Sequence, residues 1–352
     1  MSKNSSIAIV AGVAIAVAII ASVMAFSGVS DNSMPMDTPE VDQTNLVSQE
    51  EKLTVLTSFY PYHEFTKNVA GDFAEVKQFM PSGVEAHDWE PRAQEIQSLN
   101  DADVFVYNGL GMEPYVENII GSGEFDNVLF VKASEGVELL KFEDDHDDHD
   151  EHAKEDDHDV HDEHAKEDGH DGHDNDYEFD PHIWLDPLLV KQQVNVIRDG
   201  LIQADPQNKE HYEENARIYN NKMDALDMKI ESSLSSCQKD TIVPFHNAFT
   251  YLGERYDIHV MALSGMTPDS EASAAEIAEF VDFVKDNDIK VIFSEELVDP
   301  RLAEVIAEET NAQVMLFSPL EALTPDEIGT NISYIDKMEQ NLDSLVVALE
   351  CQ

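Results

Sequence analysis

Four residues combine metal-ligating donors with positions where a ligand site is expected. They are His87 in PSGVEAHDWEP, His182 in DPHIWLDP, His246 in PFHNAF and Glu321 in SPLEAL. Each falls in a loop that follows a predicted strand, and open α/β sheets hold their ligands at the carboxyl ends of strands. Three imidazoles and one carboxylate form an N3O set that Zn²⁺ accepts in tetrahedral geometry. Four protein ligands would close the coordination sphere and leave no position for an activated water. That predicts binding without bond chemistry, so the chain is expected not to be an enzyme. If Glu321 stayed off the metal, three imidazoles plus water would be a hydrolase or hydratase pattern. No Ser/His/Asp set, Cys nucleophile or general-base motif stands out to support it. His63 in YPYHEF also follows a strand but falls early in a helix, and His211 and His259 read as structural. Asp88, Glu90, Asp180 and Asp186 are sequence neighbours able to accept a ring N–H, with surface solvation the default reading of each.

A second metal-capable feature lies between Glu143 and Glu178. It repeats in twelves, DDHDDHDEHAKE then DDHDVHDEHAKE, and ends in a decayed DGHDGHDND. Eight of the chain's 14 histidines are here: His146, His149, His152, His158, His161, His164, His170 and His173. Acidic residues surround them, so the segment carries 17 of the chain's 52 net negative charges. Almost nothing in it can enter a core, which predicts a surface loop. Neutral imidazole suits zinc, copper and nickel, so weak multi-site metal capture is the expected chemistry. A solvated spacer is the plain alternative, but aspartate alone would supply that.

The elements that must position these groups alternate short apolar runs with amphipathic ones, as βα units with parallel sheets do. In the first half, strands are predicted at Leu53–Phe59, Glu75–Phe79, Val104–Asn108 and Val128–Val131. Helices are predicted at Tyr62–Ala70, Arg92–Ala102 and Glu113–Ile120. The scheme returns with strands Thr241–Phe245, Ile258–Leu263, Val291–Ser294 and Gln313–Phe317. Its helices are Ala248–Arg255, Ser273–Asn287, Leu302–Thr310 and Ile332–Leu349. Between the halves, Tyr212, Ala216, Tyr219, Met223, Leu226, Ile230 and Leu234 recur at helical spacing. They predict one helix of roughly 25–30 residues, about 40 Å long, restarting at Asp205-Pro206. The expected organisation is an N-terminal α/β lobe over 51–185, a helical connection over 186–236 and a C-terminal α/β lobe over 237–352, with the metal site in the cleft between lobes. Cys237 and Cys351 would tie the last helix to its own lobe as a disulfide, or remain two buried thiols.

Residues Ile7–Phe26 form an unbroken apolar run with Lys3 before it and acidic residues after. Such a span of ~20 residues can cross a bilayer with its N-terminus inside, and Ala25 and Ser27 would equally suit signal cleavage. Residues 1–30 are therefore expected to be a signal peptide or membrane anchor, and 31–50 a flexible linker. No cysteine lies near the run, so a cysteine-linked lipid anchor is not expected. The remaining chain is expected to be extracytoplasmic. A net charge of −52 over 352 residues argues against nucleic acid and anionic lipid as partners.

Several of these segments resemble, in order, the zinc-specific solute-binding proteins of ABC transporters, the cluster A-I or ZnuA-like family. VEAHDWEPRAQEIQSLNDADVFVYNGLGMEPY is similar to the family's first-histidine segment, DPHIWLDP to the second and VPFHNAFTYL to the third. LFSPLEALT resembles the segment that supplies an acidic fourth ligand, and LSGMTPDSEASAAEIAEF and VDPRLAEVIAEETNAQV also look familial. The likeness covers about Lys52 to Leu349. It implies His87, His182, His246 and Glu321 as zinc ligands, an ABC permease as partner, and a monomer that captures Zn²⁺ for uptake. Ala86 precedes His87, so a variant with an acid there is not available. Manganese-type relatives typically carry a carboxylate at the place of His246, so Mn²⁺ is the less expected cargo. The family also commonly inserts an acidic His-rich loop before the second histidine. The related fold serves attachment in some bacteria, so a surface adhesin or zinc buffer without a transporter is the alternative.

Overall fold

The computed structural model describes residues 52–141, 178–268 and 272–352. The expected membrane or signal segment, the linker and all eight histidines of the acidic repeat lie outside them. Among the described residues no helix is long and apolar enough to cross a membrane.

Strands β1 (Leu53–Thr57), β2 (Ala74–Gln78), β3 (Val104–Tyr107) and β4 (Leu129–Lys132) form a wholly parallel sheet in the order β2-β1-β3-β4. Val55 pairs with Val76 on one side and Val104 on the other. β3, VFVY, is buried at every position, as a central parallel strand covered on both faces should be. Helices α1 (Tyr60–Ala70), α2 (Ala93–Ser98) and α3 (Pro114–Ser122) make the crossovers. α1 begins earlier than the sequence predicts because Pro61 fits a first turn, where its missing N–H costs nothing. The helix expected to run on to Ala102 tightens into a 3-10 turn over Leu99–Asp101.

The second half pairs β5 (Thr241–Ile242) with β6 (His259–Val260) and β7 (Val291–Ser294) with β8 (Gln313–Leu316), all parallel. The Phe293 N–H donates to the Val243 carbonyl at 3.0 Å, so β5 lies beside β7. The resulting order β6-β5-β7-β8 repeats that of the first sheet. β5 and β6 are shorter than the sequence predicts because Pro244 has no N–H for the ladder. Pairing resumes beyond it, with Ser264 N–H donating to Phe245 O at 2.9 Å. Helices α6 (Thr250–Tyr256), α7 (Ala274–Asp286), α8 (Arg301–Thr310) and α9 (Tyr334–Ala348) complete this half. Ser273 caps α7 and Ser333 caps α9, each in a reciprocal box with an acidic residue three positions on.

Between the halves run α4 (Pro187–Ala204) and α5 (Lys209–Leu234). α5 has 26 residues and is therefore ~39 Å long at ~1.5 Å per residue. It buries Tyr212, Ala216, Tyr219, Met223, Leu226 and Ile230 along one stripe. That stripe packs on α1 of the first half, on the neighbouring α4 and on α9 of the second half. The principal apolar cluster accordingly takes Val55, Phe65 and Val106 from one half and Phe293, Leu342 and Leu345 from the other. At the far end of α5, Cys237 is disulfide-bonded to Cys351, beyond the end of α9.

Candidate metal centre

Each of the four sequence-predicted residues lies in a loop that follows a strand in sequence. His87 follows β2, His182 follows β4 at the start of a 3-10 turn over Ile183–Leu185, His246 follows β5 and Glu321 follows β8. One ligand atom from each lies within 4.8 Å of all the others, and all four residues are buried. Glu321 Oε1 is 3.3 Å from His87 Nε2, 3.5 Å from His182 Nε2 and 3.8 Å from His246 Nε2. Neither Glu321 Oε1 nor His246 Nε2 has a hydrogen bond of acceptable geometry. Buried polar atoms without partners are costly, and several lone pairs aimed at one point are what a cation would satisfy.

The opposite ring nitrogens are occupied. His182 Nδ1 donates to Asp180 Oδ1 at 2.8 Å, and His246 Nδ1 donates to Glu295 Oε1 at 2.7 Å. These bonds hold each Nδ1 as the donor and turn each Nε2 toward the centre, the arrangement that orients metal-bound imidazoles elsewhere. The same carboxylates accept the backbone N–H of His182, at 2.9 Å, and of His246, at 3.2 Å.

Charge in the centre is correspondingly unequal. Burial lowers the pKa of His87 and outweighs the pull of Glu321, which keeps that ring neutral. Burial acts the same way on His182, but Asp180 and Glu321 overcome it and raise the ring to about 9. Burial opposes the charge on Glu321 too, yet the surrounding imidazoles hold its carboxyl well below the ordinary range. Glu85 accepts the backbone N–H groups of His87 and Asp88 at 3.0 and 3.1 Å. Burial and the neighbouring Glu321 raise its carboxyl to about 9. A cavity of about 20 Å³ against Glu321 is lined by Glu85, Glu295 and Glu296.

The loops are braced across the two halves. Trp184 Nε1 donates to Pro319 O at 2.7 Å, and Tyr334 OH donates to Trp184 O at 2.7 Å, linking the loops of His182 and Glu321. Asn108 Nδ2 holds Pro181 O at 3.0 Å, and Tyr251 OH holds Asp180 O at 3.0 Å. Leu320, immediately before Glu321, has φ +61°, a conformation unfavourable for a branched residue. Asn341 of α9 fixes that turn through both the N–H and the carbonyl of Ser318.

Of the expected ring partners, Asp180 takes that role toward His182. It is 1% exposed, so surface solvation does not describe it. Asp186 caps α4 through Leu188 N–H, while Asp88 and Glu90 are exposed. His63 lies on α1, His211 stacks on Phe73 and His259 is exposed on β6. Glu295 and Glu85 were not among the expected residues. Glu295 follows β7 in SEEL, so the strand-end rule that finds His246 also points to it.

A family described as "Zinc-uptake complex component A periplasmic" matches residues 55–348. A relative from Bacillus subtilis (strain 168), a high-affinity zinc uptake system protein, is 37% identical over 299 residues, which is 85% of this chain and 88% of the relative. The crystal structure of the Zn(II)-bound ZnuA-like domain of Streptococcus pneumoniae AdcA aligns with a TM-score of 0.68 at 34% identity, covering 85% of this chain and all of that one. A laminin-binding protein of Streptococcus agalactiae, described as bifunctional with adhesin and metal transporting activity, aligns at TM-score 0.70 and 29% identity, covering 85% and 100% of the two chains.

Proposed function

The chain belongs to the family of periplasmic component A proteins of zinc uptake, and from that premise we propose that His87, His182, His246 and Glu321 are the ligands of its Zn²⁺ cargo. It is a zinc-binding solute receptor of an ABC uptake system and not an enzyme. The observation that carries the ligand assignment is the convergence of three imidazole nitrogens and one carboxylate oxygen within 4.8 Å, all buried. Imidazole in three of four places suits zinc over the harder Mn²⁺. One anionic ligand with two orienting carboxylates behind it also supplies negative charge around a divalent cation. All four residues come from one chain, which supports capture by a monomer.

Capture and delivery make opposite demands on such a centre. Four protein ligands with no water hold zinc tightly, so release needs Glu321 or one imidazole to withdraw. Contact with the membrane permease is the event proposed to cause it. The acidic His-rich stretch is proposed to gather zinc weakly nearby. Its flanks support this: Lys141 and Phe179 pair as an antiparallel bridge, and Asp180 and His182 follow directly. The N-terminal apolar run would hold the receptor at the outer face of the membrane or be cleaved after export.

Competition titration with a chromogenic chelator tests the assignment. The full chain should bind one tight Zn²⁺ equivalent, which His246→Ala abolishes, with further weak equivalents. Deleting residues 143–178 should remove only the weak ones. Loss of the tight equivalent on that deletion would move the site into the acidic repeat. The resemblance to a protein with adhesin activity favours attachment as a second role. Zinc-loaded protein that fails to retain laminin would dismiss it.

A further inference from the structure

The wall behind the centre holds a buried cation. The Lys337 side chain on α9 is 1% exposed, among Tyr334, Met338, Asn341 and Leu342 on the helix's inner face. Its Nζ donates to Glu296 Oε1 at 2.8 Å and to Glu327 Oε1 and Oε2 at 2.9 and 3.1 Å. A buried ammonium is expensive unless it is paired, and an apolar residue of similar volume would often be no less stable there. What Lys337 joins gives the position a purpose.

Glu296 follows Glu295, the carboxylate that receives both N–H groups of His246. Beyond the end of β7 these neighbours diverge, Glu295 toward the imidazole and Glu296 toward Lys337. Glu327 lies in the β8–α9 loop that also carries Glu321, and it accepts Thr324 N–H at 2.8 Å. One ammonium therefore ties two irregular segments to a single helix. One segment orients a ligand and the other supplies a ligand.

We infer that Lys337 is a positioning residue for the zinc centre, fastening the carriers of Glu295 and Glu321 to α9 without touching the metal. The inference rests on the four-ligand reading of the site. Without the ammonium, Glu296 and Glu327 are like charges with no shared counter-ion, and both gain by turning to water. The two segments then separate from α9. Glu295 loses its hold on His246, Glu321 drifts from the imidazoles, and zinc leaves faster. The loss falls on dissociation, because all four ligands are still present and the route to them is unchanged.

The test is Lys337→Met in the full chain, with zinc release followed by stopped-flow transfer to a chelator and the melting temperature of zinc-free protein measured alongside. Wild-type protein is measured first. If it holds no tight zinc, the site reading fails and the inference with it. Where it does hold zinc, Lys337→Met should release it roughly tenfold faster, the scale seen when partners behind metal ligands are removed. The triple variant Lys337→Met, Glu296→Gln, Glu327→Gln removes the stranded charges. It should recover the zinc-free melting temperature while keeping the fast release. Recovery of slow release together with stability would overturn the inference, since Lys337 would then serve only the fold. Release at the wild-type rate in Lys337→Met would overturn it outright. Combined with Glu295→Gln, the losses should be less than additive because both act on the same imidazole, and full additivity would exclude the route through Glu295.

Discussion

His182 sits between two carboxylates, Asp180 on Nδ1 and Glu321 facing Nε2, and this decides how zinc binding responds to pH. Its ring is raised to about 9 in the zinc-free protein. A raised histidine contributes folding stability below its unfolded value of ~6.5, and that contribution is lost as pH climbs through about 9. Acid thus favours the empty centre. A protonated imidazole cannot ligate, so zinc must displace the proton. Apparent affinity should therefore rise about tenfold per pH unit between about pH 6.5 and 8.5, as one displaced proton requires. Competition titrations across that window check it, and a flat profile would show that His182 enters the reaction already neutral. Removing the outer charge should weaken the dependence, so Asp180→Asn is expected to flatten the slope and to cost roughly 10–100-fold in affinity. The four-residue cluster was legible in the sequence because each donor lies in a loop after a predicted strand and the four converge, whereas His63, which also follows a strand, stays outside it. Their orienting groups were less so. Asp180 lies two positions from its imidazole, whereas Glu295 reaches His246 across 49 positions of sequence. Only the pairing of β5 beside β7 brings those two together.

Helix and strand positions read well from periodicity, and their ends read poorly wherever one residue's chemistry cut an element short. Pro244 interrupts β5, and Pro61 starts α1 two residues early. The 26-residue α5 was legible because its apolar stripe never breaks. Close packing between elements left no such pattern. Gly200 of α4 lies over β4, where an added Cβ would come within 2.5 Å of Val131 Cγ2. Alanine there would gain about 1 kcal/mol of helix propensity. Overpacking against a buried valine costs about 1–3 kcal/mol, so Gly200→Ala should lower the melting temperature by a few degrees. A rise would show that α4 can lift from the sheet freely. The disulfide offers a second test at this scale. It closes a loop of 114 positions, and in the chain-entropy account its removal costs about 2–5 kcal/mol. Cys237→Ser with Cys351→Ser should melt earlier by that amount and still bind zinc with unchanged stoichiometry, since neither residue approaches the centre.

At the scale of the whole molecule, the site takes His87 and His182 from loops of the first sheet and His246 and Glu321 from loops of the second. Zinc held by these four residues would join the halves, and a transition that separates them would release the metal. Saturating zinc at a hundred times its dissociation constant should stabilise the fold by about 2.7 kcal/mol. Calorimetry should show a single transition moving upward with zinc. Two transitions, only one of them shifted, would mean that the metal is held by one half alone. The net charge of −52 makes the same molecule salt-sensitive. Raised ionic strength should slow zinc association while leaving dissociation nearly constant, because screening reaches the approach of the ion and not the buried contacts.

The bridge between Lys141 and Phe179 joins the two residues flanking the stretch that holds the acidic repeat, just before the chain reaches Asp180. The four proposed ligands lie outside the stretch between those two residues in sequence, and every repeat of twelve lies within it. Copies of the repeat can be gained or lost by simple duplication of coding sequence without altering the register of the chain at His182. On the role proposed for the repeat, a change in its copy number would change how much zinc is gathered near the surface while leaving the four-residue centre as it was.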